Sequence, residues 1–271
     1  MENSLKRLIL QLSKREKEYF LKYKNLNKYS SPLCFLEIYD YIDNKGNINT
    51  EELMKVLGKK NFNKKLSSGK EKLLDKILLS LVNYNFESTY SWAIQKDILM
   101  IRVLIEKGLI EKAHKKINQS KKYAYKYEEF ELLLNIIILE ESLCFKHCYI
   151  QNYTKFIELQ EERKKVIDLL NNMNSLLTLK AELQNFQLKE NYYSSDIKSF
   201  INEYVNNPLY SDSNIKSKKA QSLCYYIKMF FFFIQHDYNG GFLNMQKYYE
   251  FYHSCPEFFS LEEYLQLLNN F

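Results

Sequence analysis

The chain has 271 residues, of which only 6 are glycine and 3 are proline, whereas 23 are tyrosine and 18 are phenylalanine. β-Sandwiches, barrels and nucleotide-binding α/β folds need frequent turn residues or glycine-rich loops, so this composition argues against them. Hydrophobic residues make up 46% and charged residues 27%. These are ordinary values for a globular protein, and they argue against wholesale disorder.

The formal net charge of +6 is unevenly distributed along the chain. Residues 1–150 hold 27 basic and 19 acidic side chains, whereas residues 151–271 hold 12 and 14. A basic first half suggests an acidic or phosphate-bearing partner. The alternative is a lysine-rich surface that contacts only solvent.

The cysteines and apolar segments indicate the compartment. Five widely spaced cysteines do not suggest a disulfide framework, and their odd number fits a reducing environment. The first 12 residues lack the apolar core and cleavage site of a signal peptide. The longest apolar stretch, residues 229–234, is far shorter than the ~20 residues that span a bilayer. We therefore expect a cytoplasmic protein that does not enter a membrane.

Helix-start signals recur in the N-terminal part of the sequence. Ser13 and Glu16 fit a capping box, in which each side chain bonds the other residue's backbone amide. Ser31-Pro32 is an N-cap followed by proline at the first helical position, and apolar residues at 35, 38, 39 and 42 follow with helical spacing. A short helix is expected from Thr50 to Gly58, and a long one over about 63–83.

The rest of the sequence predicts long helices separated by short turns. Ser88 is expected to cap the first of them and Gly108 to end it, and a break is expected near residues 171–174. The expected ranges are about 88–107, 109–127, 128–147, 152–190, 195–206, 214–235 and 240–253, with a last helix starting at Ser260. No alternating run is long enough to predict a strand.

These signals predict an all-α fold built as an array of antiparallel helical hairpins, in the manner of an α-solenoid. We divide the chain into an N-terminal basic helical subdomain, residues 1–86, and a helical-hairpin repeat region, residues 87–271. One continuous domain is the alternative.

Two resemblances support the hairpin array. Residues 107–113 (Lys-Gly-Leu-Ile-Glu-Lys-Ala) resemble the turn and second-helix start of a tetratricopeptide-like hairpin, and residues 237–241 resemble it more loosely, with Gly241 where alanine is expected. Residues 12–20, 107–113 and 231–249 resemble a group of uncharacterised helical-repeat proteins from Bacteroidota. The resemblance implies an architecture and no activity, so it supplies no catalytic residue.

Few residues suggest chemistry. Cys144, His147 and Cys148 share one face of a helix and could offer three metal ligands. A structural zinc site needs a fourth ligand, which no nearby Cys or His provides, and free cysteine also behaves as a small buried hydrophobe. His236 and Asp237 could form an acid–base pair, although a histidine at a helix C-terminus is also favoured by the backbone dipole. The sequence contains no Gly-x-Ser-x-Gly, Walker-loop, His-Glu-x-x-His or paired-carboxylate motif. We predict no catalytic, cofactor-binding or metal-binding residue.

The basic segments are more informative. Helical spacing gathers five lysines on an arc about 120° wide, the basic ridge: Lys112, Lys115, Lys116, Lys122 and Lys126. Ala113, Ile117 and Ala124 fall on a neighbouring arc and are the expected core face. The ridge is a candidate partner-binding surface, with a solvated lysine face as the alternative.

A second basic segment lies between Lys55 and Lys76, where eight lysines outnumber two acids. Residues 50–81 also have the order of a short helix, a turn and a longer helix, which loosely resembles a helix-turn-helix. Neither basic segment contains arginine, the usual base-reading side chain.

Aromatic residues concentrate between residues 225 and 252. Helix packing could absorb most of them, whereas any that stay exposed could contact a partner or a second copy of the chain. A homo-oligomer through this aromatic region is therefore one expectation.

The leading functional hypothesis is a non-enzymatic helical-repeat scaffold that mediates protein–protein or protein–peptide interaction. The alternative is a nucleic-acid-binding helical protein that uses lysines 55–76 and 112–126, since neutralising phosphates with such lysines gives salt-sensitive binding.

Overall fold

The computed structural model describes residues 2–26, 34–45, 54–55, 62–86, 88–146, 153–188 and 214–258. Over these ranges the chain is all-α, as predicted, with ten helices of ten residues or more and a short 3-10 segment at Pro256–Phe258. The helices are α1 Glu2–Gln11, α2 Lys14–Leu26, α3 Cys34–Lys45, α4 Phe62–Asn85, α5 Tyr90–Glu106, α6 Ile110–Lys126, α7 Phe130–Lys146, α8 Tyr153–Leu188, α9 Lys218–Ile234 and α10 Tyr238–Ser254.

The chain divides into two compact units, Met1–Ala93 and Ile94–Phe271, with the division inside α5. In the first unit, α4 packs against α2 and α3, and α1 packs against α3. Its largest fully buried side chains are Ile9, Phe20, Ile38, Tyr39, Ile42, Leu73 and Ile77. The capping box that starts α2 is confirmed: the Ser13 amide donates to the Glu16 carboxylate at 2.7 Å, and the Glu16 amide donates to the Ser13 hydroxyl at 3.3 Å.

The second unit is a sequential array. α6 packs on α7, α7 on α8, α8 on α9 and α9 on α10, which is consistent with the predicted antiparallel hairpins. One apolar cluster joins the buried isoleucines of α5 to the core residues of α6, α7 and the first part of α8. A second cluster joins the later part of α8 to α9. Each helix therefore buries its apolar stripe against its neighbours in the chain.

Three connections in this array have the same hydrogen-bonding pattern. They are the three-residue turns 107–109, 127–129 and 235–237. The middle residues, Gly108, Glu128 and His236, have positive φ angles of 70°, 51° and 57°. In each turn this residue's amide donates to the carbonyl three residues earlier, and the next amide donates to the carbonyl five residues earlier. This is the Schellman arrangement, which satisfies the last carbonyls of a helix and reverses the chain.

The third turn begins α10 with a tight contact at glycine. Asp237 is the N-cap of α10, and its carboxylate accepts from the Gly240 amide at 2.9 Å. A β-carbon on Gly240 would lie 2.3 Å from an Asp237 carboxylate oxygen and 2.6 Å from the Phe232 ring. Gly241 lies five residues after His236, as Ala113 lies five residues after Gly108.

Two expectations about these helices are wrong. The break near residues 171–174 does not occur, because α8 continues from Tyr153 to Leu188. The Asn172 side chain is buried and bonds the backbone of Asn214 and Lys216, so it does not compete for the hydrogen bonds of its own helix. The start of α5 is capped by Thr89, whose hydroxyl accepts from the Trp92 amide, whereas the predicted cap Ser88 donates to a carbonyl of α4.

Several predicted elements lie outside the described residues. They are the Ser31-Pro32 cap, most of the short helix expected from Thr50 to Gly58, the helix at 195–206 and the last helix from Ser260. The boundary between residues 86 and 87 stays a prediction.

Candidate functional site

Helix α6 has a small-residue core face that fixes the direction of its charged side chains. Ala113, Ile117, Ser120 and Ala124 are fully buried, which confirms the expected core face and extends it to the serine. Glu111 in the first turn and Lys126 in the last suit the helix dipole. The lysines of α6 occupy the remaining arcs of the helix, on its flanks and outer side.

Four lysines of the predicted basic ridge are exposed. They form what we call the lysine row: Lys112, Lys115, Lys122 and Lys126. Lys112, Lys115 and Lys122 make no ion pair within the described ranges, and the Lys126 ammonium lies 4.9 Å from the centre of the Tyr127 ring. The fifth member, Lys116, is drawn to α5, where its ammonium lies 2.6 Å from the Asp97 carboxylate.

The lysine row follows the axis of α6 closely. Its members and the exposed Gln119 between them are separated by 3, 4, 3 and 4 residues, so they stay on one strip of the helix surface. With a rise of 1.5 Å per residue, the row spans about 21 Å. Tyr123, which is 41% exposed, lies on the edge of this strip.

On the opposite flank of α6, Lys121 is enclosed by acids. Its ammonium lies 2.9 Å from Glu140 of α7 and 2.5 Å from Glu162 of α8, and its side chain is only 12% exposed. The Tyr125 hydroxyl donates to the other oxygen of Glu162 at 2.8 Å. Burial, then the hydrogen bond and charge of Glu162, raise the pKa of Tyr125 well above its usual value. This cluster fastens α6 to two helices.

The same acid-rich helices bind further polar groups. Glu140 also faces Lys155 at 3.7 Å. The neighbouring Glu141, which is buried, accepts from Gln160 at 2.8 Å and from Arg163 at 3.2 Å. The acids of α7 are therefore neutralised by α6 and α8.

A charge count separates the two hairpins. Residues 90–127, which include α5 and α6, hold nine basic and three acidic side chains, whereas residues 128–188 hold six and ten. Lys116 and Lys121 are paired with carboxylates, whereas Lys112, Lys115 and Lys122 make no ion pair in the part of the chain that the structure describes. Positive potential therefore remains on the outer side of the α5–α6 hairpin.

The outer side of α5 is apolar. Leu99, Met100 and Val103 are 52%, 43% and 54% exposed, on an arc opposite the buried isoleucines of the same helix. We call these three residues the apolar patch of α5.

The Glu128 carboxylate, at the positive-φ position after α6, reaches a distant helix. One oxygen accepts from the Lys218 amide and the other from the Lys219 amide, both at 2.8 Å. Glu129 adds an ion pair with Lys219 at 2.9 Å. A carboxylate that bonds two free amides at a helix N-terminus is favoured by the helix dipole, so this turn holds the start of α9.

Only part of the second basic segment is described. Lys55 and Lys72 are exposed, while Lys70 and Lys76 are partly buried. Lys59 and Lys60, most of the turn expected within residues 50–81, and the side chains of Lys64 and Lys65 lie outside the description. The loose helix-turn-helix resemblance stays a prediction.

The candidate metal ligands are only partly described. Cys144 is buried, and burial, followed by the charge of Glu140, raises the pKa of its thiol. A raised pKa reduces the thiolate fraction that would bind a metal or act as a nucleophile. His147 and Cys148 lie outside the described residues. Among the described residues, no group of three His, Cys, Asp or Glu side chains is placed so that it could hold a metal ion.

The histidine and acid at the third turn have separate roles. His236 is exposed after the end of α9, and its ring lies 3.3 Å from the Tyr238 hydroxyl. The Asp237 carboxylate accepts from the Gly240 amide and so caps α10. This arrangement fits the helix-terminus interpretation of His236 rather than the acid–base pair.

The aromatic C-terminal region is partly packed. The centre of the Tyr225 ring lies 5.7 Å from that of Tyr248 and 5.6 Å from that of Phe251. The Tyr248 hydroxyl lies 3.0 Å from the Ser222 hydroxyl. Four large side chains remain more than half exposed: Phe233, Tyr238, Phe242 and Leu243. The homo-oligomer through this region stays a prediction.

A pocket of about 310 Å³ lies in the first unit, between α1 and α4. It is lined by Leu5, Asn63, Leu66, Ser67, Lys70, Glu71 and Leu74. Its wall is a mixture of aliphatic and polar side chains from two helices.

Comparison of the chain with protein-family models, with curated proteins and with solved structures finds no match. Among the described helices, none is both long and apolar enough to cross a membrane.

Proposed function

We propose that this chain is a non-enzymatic, tetratricopeptide-like helical scaffold that binds a protein or peptide partner on its α5–α6 hairpin. The supporting observation is the lysine row, in which four side chains are exposed along about 21 Å of helix while Lys116 and Lys121 are paired with acids. Three matching Schellman turns support the repeat-like part of the proposal. Repeat arrays present extended surfaces of this kind to partners.

Affinity capture from cell extract with quantitative mass spectrometry tests the proposal. The wild type is compared with a variant in which the four lysines of the row are changed to Gln. A matched control changes Lys14, Lys55, Lys72 and Lys247 to Gln, because these side chains are also exposed and the net charge falls equally. We expect a specific protein that the wild type and the control retain and the row variant loses. Equal retention by all three proteins would contradict the proposal.

Nucleic-acid binding is the second candidate, and the exposed Tyr123 beside the lysine row favours it, since a base can stack on such a ring. Fluorescence anisotropy with a labelled 25-mer single strand and duplex, titrated with salt, separates the candidates. Under our first proposal, the nucleic acids bind weakly at low salt and do not bind at physiological salt. Tight binding with a steep salt dependence, lost in the row variant, would replace the scaffold by the nucleic-acid function.

A further inference from the structure

The lysine row and the apolar patch of α5 lie on the same side of one hairpin. Both helices contribute buried residues to a single core cluster, and both exposed arcs point away from it. The three-residue turn at 107–109 reverses the chain, and the ion pair between Asp97 and Lys116 joins the two helices. The outer surface of the hairpin is therefore apolar along α5 and positively charged along α6.

Asp97 fixes the register between the two helices. Its carboxylate lies 2.6 Å from the Lys116 ammonium and accepts from the Ser120 hydroxyl at 2.9 Å. Met100 and Val103 are three and six residues closer to the turn than Asp97. In an antiparallel pair they lie level with Lys115 and Lys112, so the apolar patch and the start of the lysine row are at the same height along the hairpin.

This combination has a defined complement. Apolar side chains on a docking helix recur at three- and four-residue intervals on one stripe, with charged residues flanking them. The lysines of the row are 3, 7 and 4 residues apart, with Gln119 at the intervening position, so acids flanking the stripe of such a helix can meet lysines at both ends of the row. A 21 Å row corresponds to about four turns of a partner helix.

The apolar patch distinguishes this partner from a nucleic acid. A bound phosphate backbone would match the lysines but would leave Leu99, Met100 and Val103 against a hydrated, charged strand. The absence of arginine from α6 also removes the side chain that best grips phosphate bidentately. Carboxylates on a protein helix need only a flexible point charge, which lysine supplies.

We propose that the outer surface of the α5–α6 hairpin binds an acidic amphipathic helix, whose aliphatic stripe covers the apolar patch and whose carboxylates meet the lysine row. This inference rests on the proposed scaffold function and names the chemistry of the partner. Charge attraction then steers and orients the helix, while burial of aliphatic groups supplies most of the affinity.

A designed peptide tests this inference directly. The probe is a labelled 21-residue helix with leucine at heptad positions a and d and glutamate at e and g, whose mutual repulsion disfavours self-association. A scrambled peptide of the same composition has the same charge without the stripe, and a third peptide replaces the glutamates with lysine. We expect the first peptide to bind at least tenfold more tightly than either of the others.

Two protein variants locate the site. One variant carries the four lysine-row substitutions, and the other is Met100→Ser/Val103→Ser. Each should lower the affinity for the acidic peptide at least tenfold, whereas the Lys14/Lys55/Lys72/Lys247 control should leave that affinity unchanged. Circular dichroism of each variant checks that the helices are retained. Because Met100 and Val103 are exposed, the serine variant should fold as the wild type does.

The contrary outcomes are distinct. Equal affinity for the ordered and scrambled peptides, or affinity unaffected by both variants, overturns the inference. Binding of single-stranded or duplex nucleic acid that depends on the lysine row and is unaffected by the serine variant also overturns the inference, and it would identify a phosphate-bearing ligand instead. If affinity capture yields a row-dependent protein partner while the acidic helix fails to bind, only the identity of the partner is wrong.

Discussion

The two flanks of α6 use the same residue type in opposite ways. On the flank toward α7 and α8, Lys121 is nearly buried between two carboxylates from different helices. One residue further along, Lys122 belongs to the exposed lysine row, and Lys122 itself makes no ion pair in the described part of the fold. A lysine that is buried and paired with acids holds helices of the array together, whereas exposed lysines along one strip of a helix are accessible from solvent.

The largest expected effect comes from breaking the enclosed flank. Lys121→Met should destabilise the protein by about 3 kcal/mol, because it leaves Glu140, only 3% exposed, without its nearest ammonium. Lys122→Met is the neighbouring control and should change the free energy of unfolding by no more than about 0.5 kcal/mol. Urea unfolding followed by far-UV circular dichroism measures both. Similar small losses for the two variants would show that the Lys121 cluster is dispensable.

In the third turn the acid Asp237 also has a structural role, because it caps α10. Gly240→Ala should cost about 2 kcal/mol, because its β-carbon would collide with the Asp237 carboxylate and the Phe232 ring. Gly241→Ala is the matched control: its β-carbon would lie 3.4 Å from Phe232, and alanine favours the helix. Thermal unfolding should therefore separate two adjacent substitutions. Equal melting temperatures for the pair would refute the close contact.

The turns at the two ends of α6 differ in what their middle residue contributes. Glu128→Ala should cost about 1–2 kcal/mol, since it removes the bonds to the Lys218 and Lys219 amides and keeps a side chain at positive φ. Glu128→Gly should cost less, because glycine relieves about 1 kcal/mol of backbone strain. Gly108→Ala should cost about 1 kcal/mol from φ alone, since nothing lies within 4 Å of its added β-carbon.

The salt dependence of the stability loss also distinguishes these two turns. The loss in Glu128→Ala should shrink at 1 M NaCl, where the charge–dipole part is screened, whereas the loss in Gly108→Ala should persist. If Glu128→Gly is at least as unstable as Glu128→Ala, the positive φ is not a source of strain.

The smallest effect concerns tyrosine ionisation. Because the pKa of Tyr125 is raised in the folded protein, the folded state keeps this proton while an unfolded tyrosine ionises near pH 10. Stability is then fully present below pH 10 and falls as the pH rises above it. Burial, then Asp43 and Asp40, raise the pKa of Tyr39 to about 12, which adds a loss of the same sign between pH 10 and 12.

A single substitution isolates the Tyr125 contribution. Tyr125→Phe should flatten part of the decline above pH 10 and cost under about 1 kcal/mol at pH 7, because its hydrogen bond to Glu162 is half-exposed. Urea midpoints between pH 7 and 11 compare this variant with the wild type. Identical pH profiles for the two proteins would contradict the assignment.

Local signals in the sequence predict much of this fold. The Ser13–Glu16 box and the core face of α6 depend on residues three to eleven positions apart, so periodicity and capping rules find them. The ridge on α6 follows from the same periodicity. The resemblance to helical repeats adds the hairpin order but no family that the comparisons identify.

The remaining features depend on partners distant in sequence. Lys121 meets acids 19 and 41 residues away, and the Glu128 carboxylate bonds amides 90 and 91 residues away. Asn172 falls in an asparagine-rich stretch that suggests a helix break, yet its partners lie 42 and 44 residues ahead. Nothing in the local pattern distinguishes Lys121 from Lys122, so only the tertiary structure separates structural lysines from those that a ligand can reach.

The most direct test of this separation is the free energy of unfolding of the four-lysine row variant. If the row serves a ligand and not the fold, replacing all four lysines with Gln leaves stability within about 1 kcal/mol of the wild type, or raises it as mutual repulsion is removed. A loss of about 3 kcal/mol or more, comparable with that of Lys121→Met, would show that the row is part of the structure and would contradict the account.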